Sequence, residues 1–116
     1  MITYKQFTVG ELIDALNEFD ENRVIVGLTD YVESYRGYYQ HVAIHPGEET
    51  TVGYLISQLR GALGTTMHGY KGGEYPFNKD CLVFVAGYGD TGPGLAGFHS
   101  IGPDLLMPIV IEEVWA

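Results

Sequence analysis

The phrase Thr-Val-Gly-x-Leu-Ile-x-x-Leu occurs twice in the chain, starting at Thr8 and again at Thr51. In each copy the threonine hydroxyl is suited to cap a helix, and leucine and isoleucine follow at helical spacing. Glu11 completes a capping box in the first copy, because its carboxylate can accept from the Thr8 amide. The phrase predicts two amphipathic helices, from Thr8 to about Phe19 and from Thr51 to about Leu63. An internal repeat and a chance likeness of two helix starts both remain open.

Short apolar runs between and after the helices predict a small sheet. A polar turn and a β-branched strand follow each copy of the phrase, at once in the first copy and after an insertion in the second. The fold class predicted is α+β, one domain over residues 1–116, with a mainly antiparallel sheet and both helices packed on one face. The expected strands are Val24–Leu28, Tyr39–Ile44 (stopped by Pro46-Gly47), Leu82–Ala86, Leu95–Ile101 and Met107–Val114.

Length and composition agree with a single intracellular domain. The chain has 116 residues, 46% of them hydrophobic, which suits one packed core. No apolar run approaches the roughly 20 residues of a membrane span, and the first residues do not lead into a signal peptide. The one cysteine, Cys81, lies in an apolar run and is expected to be a buried thiol in a reducing compartment. We therefore expect a soluble protein of the cytoplasm.

Charge and residue usage narrow the class of ligand. The net charge of −9 argues against binding of duplex DNA or RNA, but a few well-placed donors still suffice for a small anion. Glycine (16) and tyrosine (9) are abundant and concentrate between Tyr31 and Gly102. This usage is typical of binding surfaces, and equally of a small fold rich in turns. Few residues remain to cover the second face of the sheet, which favours a homo-oligomer, a dimer or higher.

Three motifs in the sequence suggest other functions, but the residues around each motif argue against that function. Gly87–Gly92 fits G-x-G-x-x-G, but Pro93-Gly94 follows where a dinucleotide fold needs a helix, so only an anion-binding turn remains. Asp90-Thr91-Gly92 matches the aspartic-protease signature, yet only 24 residues follow it. His41 and His45 lie on a predicted strand, roughly 13 Å apart, too far to share an ion. No metal, no cofactor and no catalytic constellation is expected, so the chain is interpreted as a binding protein.

Two loop cations stand among aromatic and glycine residues. Arg36 lies in Ser34–Tyr38 and Lys71 in Gly69–Gly73, where each can hold a phosphate. Aromatic rings nearby are candidates for stacking on a purine. The alternative is that both cations are solvated and paired with nearby acids. The predicted ligand-binding residues are Arg36, Tyr38, Lys71, Phe77, Gly87, Tyr88, Asp90 and Thr91, with Tyr70 as a further aromatic candidate.

Four runs together resemble a phage family. They are Ser34–Tyr39, Thr51–Leu55, Gly69–Tyr75 and Val85–Gly89, within residues 8–90. They are similar to the Thoeris anti-defence sponges, phage proteins that sequester the cyclic ADP-ribose signal of a bacterial TIR-domain enzyme in the host cytoplasm. The resemblance implies a homo-oligomer with pockets at subunit junctions, in which aromatic and arginine side chains clamp the nucleotide without cleaving it.

Carried onto this chain, the resemblance implies that Arg36, Phe77, Tyr88 and the Gly87–Asp90 turn contact the nucleotide. The chain departs from the family pattern at Gly87, where an asparagine is expected before Tyr-Gly, so backbone must supply that polar contact or it is absent. Residues after Gly92 do not map onto the family.

Two alternatives to a nucleotide sponge stay open. An acidic phage protein can instead inhibit a host defence protein directly, as a DNA mimic does, and the net charge of −9 favours this modestly. The acids are spread over caps and helix faces, however, which is ordinary surface patterning. The second alternative is an accessory structural domain without a ligand.

Overall fold

The structure is a computed structural model that describes residues 4–36, 40–68, 74–87 and 92–111. It forms a single compact α+β unit, as the sequence predicts. Seven strands and two helices lie within the described residues. In chain order they are α1 (Val9–Leu16), β1 (Val24–Ser34), β2 (His41–Thr51), α2 (Val52–Ala62), β3 (Thr66–His68), β4 (Glu74–Pro76), β5 (Leu82–Val85), β6 (Gly94–Gly102) and β7 (Leu105–Ile111).

Five strands form one mixed sheet that closes into a barrel in the order β1-β2-β5-β6-β7, and β3 pairs with β4 in a separate small sheet. The pairs β1–β2, β5–β6 and β6–β7 are antiparallel, whereas β2–β5 and β7–β1 are parallel. A parallel pair needs a long crossover, and α2 with the β3–β4 hairpin supplies it between β2 and β5. A sheet that closes on itself has no free edge strands but keeps an outer face, so the oligomer stays a prediction.

Both predicted helices are confirmed, and each begins at its predicted cap. The Thr8 hydroxyl accepts from the Glu11 amide at 3.3 Å, and the Glu11 carboxylate accepts from the Thr8 amide at 3.0 Å. This second bond lowers the pKa of Glu11. In α2 the Thr51 hydroxyl accepts from the Tyr54 amide at 3.2 Å. Among the described residues, no helix has the length and apolar character needed to cross a membrane.

The buried faces of both helices and the inward side chains of the barrel form one main core. Burial of one such aliphatic side chain stabilises the fold by about 2 kcal/mol. The leucine and isoleucine residues of both copies of the phrase therefore face the core, as their helical spacing predicts. The main core consists of Val9, Leu12, Ile13, Leu16, Ile25, Leu28, Val42, Ile44, Val52, Leu55, Leu59, Tyr75, Phe77, Cys81, Val83, Leu95 and Leu106.

The β1–β2 hairpin is longer than the sequence predicts. β1 continues to Ser34 and β2 runs on to the second helix, so the predicted stop at Pro46-Gly47 is wrong. Pro46 is tolerated because it pairs with Leu28 at a break in register, where a missing amide costs little. Gly27, with φ of +89°, lies at the same irregularity and adopts a conformation that favours glycine. The hairpin therefore bends instead of ending.

The barrel closes through a short junction between β1 and β7. Only two residue pairs join these strands, Val24 with Leu105 and Ile25 with Leu106. Ile25 and Leu106 are fully buried, so they seal the junction on its inner side.

Arg23 reinforces this junction from outside. One terminal nitrogen of its guanidinium donates to Ser100 Oγ at 2.7 Å and to the carbonyls of Gly102 at 3.0 Å and Leu105 at 3.2 Å. The guanidinium carbon also lies 5.4 Å from the centre of the Phe19 ring, a cation–π distance. One side chain thus connects the start of β1 to the β6–β7 hairpin.

Replacing Arg23 is expected to weaken the fold. Arg23→Ala removes charge-assisted hydrogen bonds at the barrel junction and should lower the free energy of unfolding by about 2 kcal/mol, as measured by urea denaturation. The matched control is Arg60→Ala, since Arg60 is exposed and makes a single 3.3 Å bond to Asn17. That variant should change stability by less than about 0.5 kcal/mol. Equal losses in both variants would contradict the role of Arg23.

Candidate functional site

A second, smaller cluster lies on the sheet face opposite the main core. Its buried members are Tyr35, Ala43, Phe84 and Ala86, and we call it the outer cluster. Successive strand residues point to opposite faces, so the neighbours of Ala43 and Phe84 along the chain enter the main core while these two do not. Ala43 is paired with Phe84 across β2 and β5. The outer cluster is therefore a distinct packed surface at the hairpin end of the barrel.

Two stacked rings form the centre of the outer cluster. The Tyr35 and Phe84 rings lie parallel, 3.8 Å apart between centroids and 4° between planes. His41 lies beside them, with its ring centroid 5.2 Å from that of Phe84. Both stacked rings are buried, at 6% and 2% exposure, which makes them a rigid base for the residues around them.

The Tyr35 hydroxyl ties the end of β1 to the entry into β6. It donates to the Gly92 carbonyl at 3.1 Å and accepts from the Gly92 amide at 3.3 Å. Only glycine fits at this position, because a Cβ there would overlap the carbonyl oxygen of Val85. Segment 88–91 starts after Gly87 and ends before Gly92, so its described ends are both held next to the outer cluster.

A second tyrosine fixes the β3–β4 hairpin to the same end of the barrel. The Tyr75 hydroxyl donates to the His41 carbonyl at 2.8 Å and shares a 2.9 Å hydrogen bond with Ser34 Oγ. Burial raises the pKa of Tyr75, so the phenol stays protonated and available as a donor. These hydrogen bonds hold β4 next to Ser34 at the end of β1 and His41 at the start of β2.

A row of polar side chains continues the outer face along the hairpin. His45 Nε2 lies 3.4 Å from Glu33 Oε1, and both side chains are about four-fifths buried. The Tyr31 ring meets the His45 ring edge-on at 5.2 Å. Glu33 Oε1 is buried without a hydrogen bond within the described residues. Glu33 pairs with Ala43, so this polar row directly adjoins the outer cluster.

The structure describes some of the ligand-binding residues predicted from the sequence, and it places them in different surroundings. Arg36 follows Tyr35, is exposed and adopts a left-handed φ of +52° in the β1–β2 turn. Gly87 follows Ala86 directly and is partly buried. Arg36 and Gly87 are thus each one residue from the outer cluster. The candidates Tyr38, Lys71, Tyr88, Asp90 and Thr91, and also Tyr70, lie outside the described residues.

Phe77 is placed differently from the sequence interpretation. Its side chain is fully buried and belongs to the main core. Its amide donates to the Thr65 carbonyl and its carbonyl accepts from the Gly64 amide, both at 2.9 Å, which joins the end of α2 to the segment after β4. In this position the ring supports the fold and presents no face to a ligand.

The sequence interpretation missed the stacked Tyr35–Phe84 pair and the Glu33–His45 pair. A signal for both was present, because Tyr31, Glu33 and Tyr35 alternate with other residues as outward positions of a strand do. The predicted strands leave this stretch out, because the first ends at Leu28 and the second begins at Tyr39. The pairing of β2 with β5, which brings Phe84 to Tyr35, has no local sequence signal.

The structure shows the surroundings of the cysteine and of the two histidines on β2. Cys81 is fully buried, and burial raises the pKa of its thiol, so the nucleophilic thiolate is disfavoured. Within 4–36, 40–68, 74–87 and 92–111, no three His, Cys, Asp or Glu side chains are grouped as metal ligands. His41 and His45 make separate contacts along β2, with Phe84 and with Glu33.

Comparison of the chain with protein-family models, with curated proteins and with solved structures finds no match in any of the three.

The Tyr35 hydroxyl gives a direct test of the outer cluster. Tyr35→Phe keeps the ring stack but removes both bonds to Gly92, and should lower the free energy of unfolding by about 1 kcal/mol. Hydrogen exchange at the Gly92 amide should become faster. The matched control is Tyr31→Phe, whose ring is 57% exposed and which should change neither quantity. Unchanged exchange at Gly92 in Tyr35→Phe would show that the hydroxyl does not hold this segment.

Proposed function

We propose that the chain binds a cyclic ADP-ribose-type nucleotide at the outer-cluster end of the barrel and sequesters it without cleaving it. The observation that carries the proposal is the Tyr35–Gly92 link. It joins the turn that bears Arg36 to the glycine-rich segment that begins at Gly87. These are two of the three places where the sequence locates its ligand-binding candidates.

The chemistry around the outer cluster suits such a ligand. A pyrophosphate needs a cation and amide donors, and Arg36 with the backbone at Gly87 can supply them. A ribose needs hydrogen-bonding groups, and the Glu33–His45 pair lies next to Ala43 in the same face. The buried thiol of Cys81 is unsuited to attack a glycosidic or phosphate bond. This set of groups supports binding without turnover.

The proposal extends to the assembly and to the helices. A nearly enclosed ligand is held most tightly in a pocket between subunits, and we therefore retain the proposed homo-oligomer. Both helices are proposed to cover one face of the sheet, the face opposite the outer cluster. That arrangement would leave the outer side of the sheet, around the buried outer cluster, available to a second subunit.

A thermal-shift screen with cyclic ADP-ribose isomers and cyclic oligonucleotides tests the proposal. A ligand at a hundred times its Kd stabilises the folded protein by about 2.7 kcal/mol, so Tm should rise by several degrees. Arg36→Ala should remove most of this rise, whereas Arg60→Ala, which deletes an exposed arginine on α2, should keep it. Ligand released by heat should be chemically unchanged.

Two results would count against a nucleotide sponge. The first is no change of Tm with any of these nucleotides at saturating concentration. The second is recovery of hydrolysed ligand after heat release, which would make the protein an enzyme.

The rival function, direct inhibition of a host protein, is favoured by a specific observation. Several large apolar side chains are exposed on the β6–β7 hairpin, among them Ile101, Leu105, Met107 and Val110. Clusters of exposed apolar side chains often mark protein contacts. An equimolar complex with one host protein, formed without any retained nucleotide, would favour this function over the sponge.

A further inference from the structure

An apolar strip crosses the outer face of the barrel at the end remote from the outer cluster. We define it by Val24 and Val26 on β1 and Leu105 and Met107 on β7. Val24 is paired with Leu105, and Val26 and Met107 each lie two residues further along their strands, so all four point to the same side. The residues between them, Ile25 and Leu106, are fully buried on the inner side.

The strip is open in the described part of the structure. Met107 is 45% exposed and Leu105 38% exposed, and both β1 valines are partly exposed. Small residues on β6 enlarge the open surface, because Gly97 and Gly102 pair with Ile109 and Leu105. An exposed apolar surface of this kind lowers the solubility of a protein and often marks a site of interaction.

An acidic groove borders the strip on its β2 side. It has a volume of about 370 Å³ and is lined by Asp30, Glu49, Thr50, Thr51 and Tyr54. Thr51 is paired with Val24 and Glu49 with Val26, so these two residues of the groove lie beside the strip on the same face. The Tyr54 ring at the mouth of the groove is 66% exposed.

The chemistry of this surface specifies its partner. Two carboxylates beside an exposed aromatic ring suit a guanidinium or ammonium group, which can pair with the acids and lie on the ring. The apolar strip beside them suits a hydrophobic side chain on the same partner. Tyrosine at a groove and an apolar centre with a charged border are usual features of protein interfaces.

We propose that the strip and the groove together form a docking surface for a partner protein that presents an arginine or lysine beside exposed apolar side chains. Charge complementarity argues for this occupant over a second copy of the chain. A copy would bring another net charge of −9 and a second acidic groove to the contact. The surface shares no residue with the outer cluster, since it uses Val24, Val26 and Asp30 on β1 and the last residues of β2. The inference therefore does not depend on nucleotide binding.

The test uses a fluorescein-labelled helical peptide with arginines on one face and leucines on the other, titrated with the intact protein by fluorescence anisotropy. The peptide should bind, and an equivalent peptide with glutamates in place of arginines should not. Asp30→Asn with Glu49→Gln should raise the Kd about tenfold. Met107→Ser should raise it several-fold with an unchanged unfolding midpoint, because this side chain is half exposed.

The matched control places the same charge change elsewhere. Asp14→Asn with Glu18→Gln neutralises two exposed acids on and just after α1, and should change the Kd by less than about twofold. Equal weakening by both pairs of substitutions would overturn the proposal, since it would show attraction by net charge alone. No binding of the basic peptide would also overturn it. So would a dimer in light scattering that Met107→Ser dissociates, because a second copy would then cover the strip.

Discussion

The closure of the sheet between β1 and β7 is the constraint on which the rest of the structure depends. Two residue pairs and the Arg23 guanidinium hold these strands together. Without this junction the inner side chains of five strands would face water, and the stripes of α1 and α2 would lose much of the surface on which they pack. Near its start, β1 is paired with β7 on one side and with β2 on the other. The second half of β1 is paired with β2 alone and extends to the outer cluster.

At that far end, hydrogen bonds from two tyrosines replace extensive apolar packing. Tyr35 holds Gly92, and Tyr75 holds the β1–β2 turn through Ser34 and the His41 carbonyl. Each tyrosine is buried, so its hydrogen bonds are shielded from water and act as directional anchors for the backbone they reach. The buried faces of both helices belong to the main core, whereas the outer cluster is a separate group of side chains. Most buried side chains of the described residues belong to the main core, so conservative substitutions in the outer cluster are expected to leave the chain folded.

The features of this fold that depend on neighbouring residues are predicted from the sequence. The features that depend on contacts between distant segments are not. The caps at Thr8 and Thr51 and the strand at Leu82 depend on neighbouring residues, and each is found as predicted. The parallel pairing of β2 with β5 joins segments forty residues apart and leaves no periodic trace. Phe77 shows the same limit, because an aromatic residue after a glycine-rich stretch looks the same in sequence whether it stacks on a ligand or fills a core. Pro46-Gly47 predicts the end of a strand, and only the irregular pairing with Leu28 makes the proline acceptable within β2.

Hydrogen exchange measured by mass spectrometry, with and without cyclic ADP-ribose, tests the central claim most directly. We expect the nucleotide to slow exchange in peptides covering residues 32–42 and 84–95, the two stretches joined by the Tyr35–Gly92 link. Exchange in residues 9–16 and 52–62, which form the helices, should stay the same. Protection confined to residues 24–30 and 49–54, or no protection anywhere at saturating nucleotide, would contradict the placement of the binding site at the outer cluster.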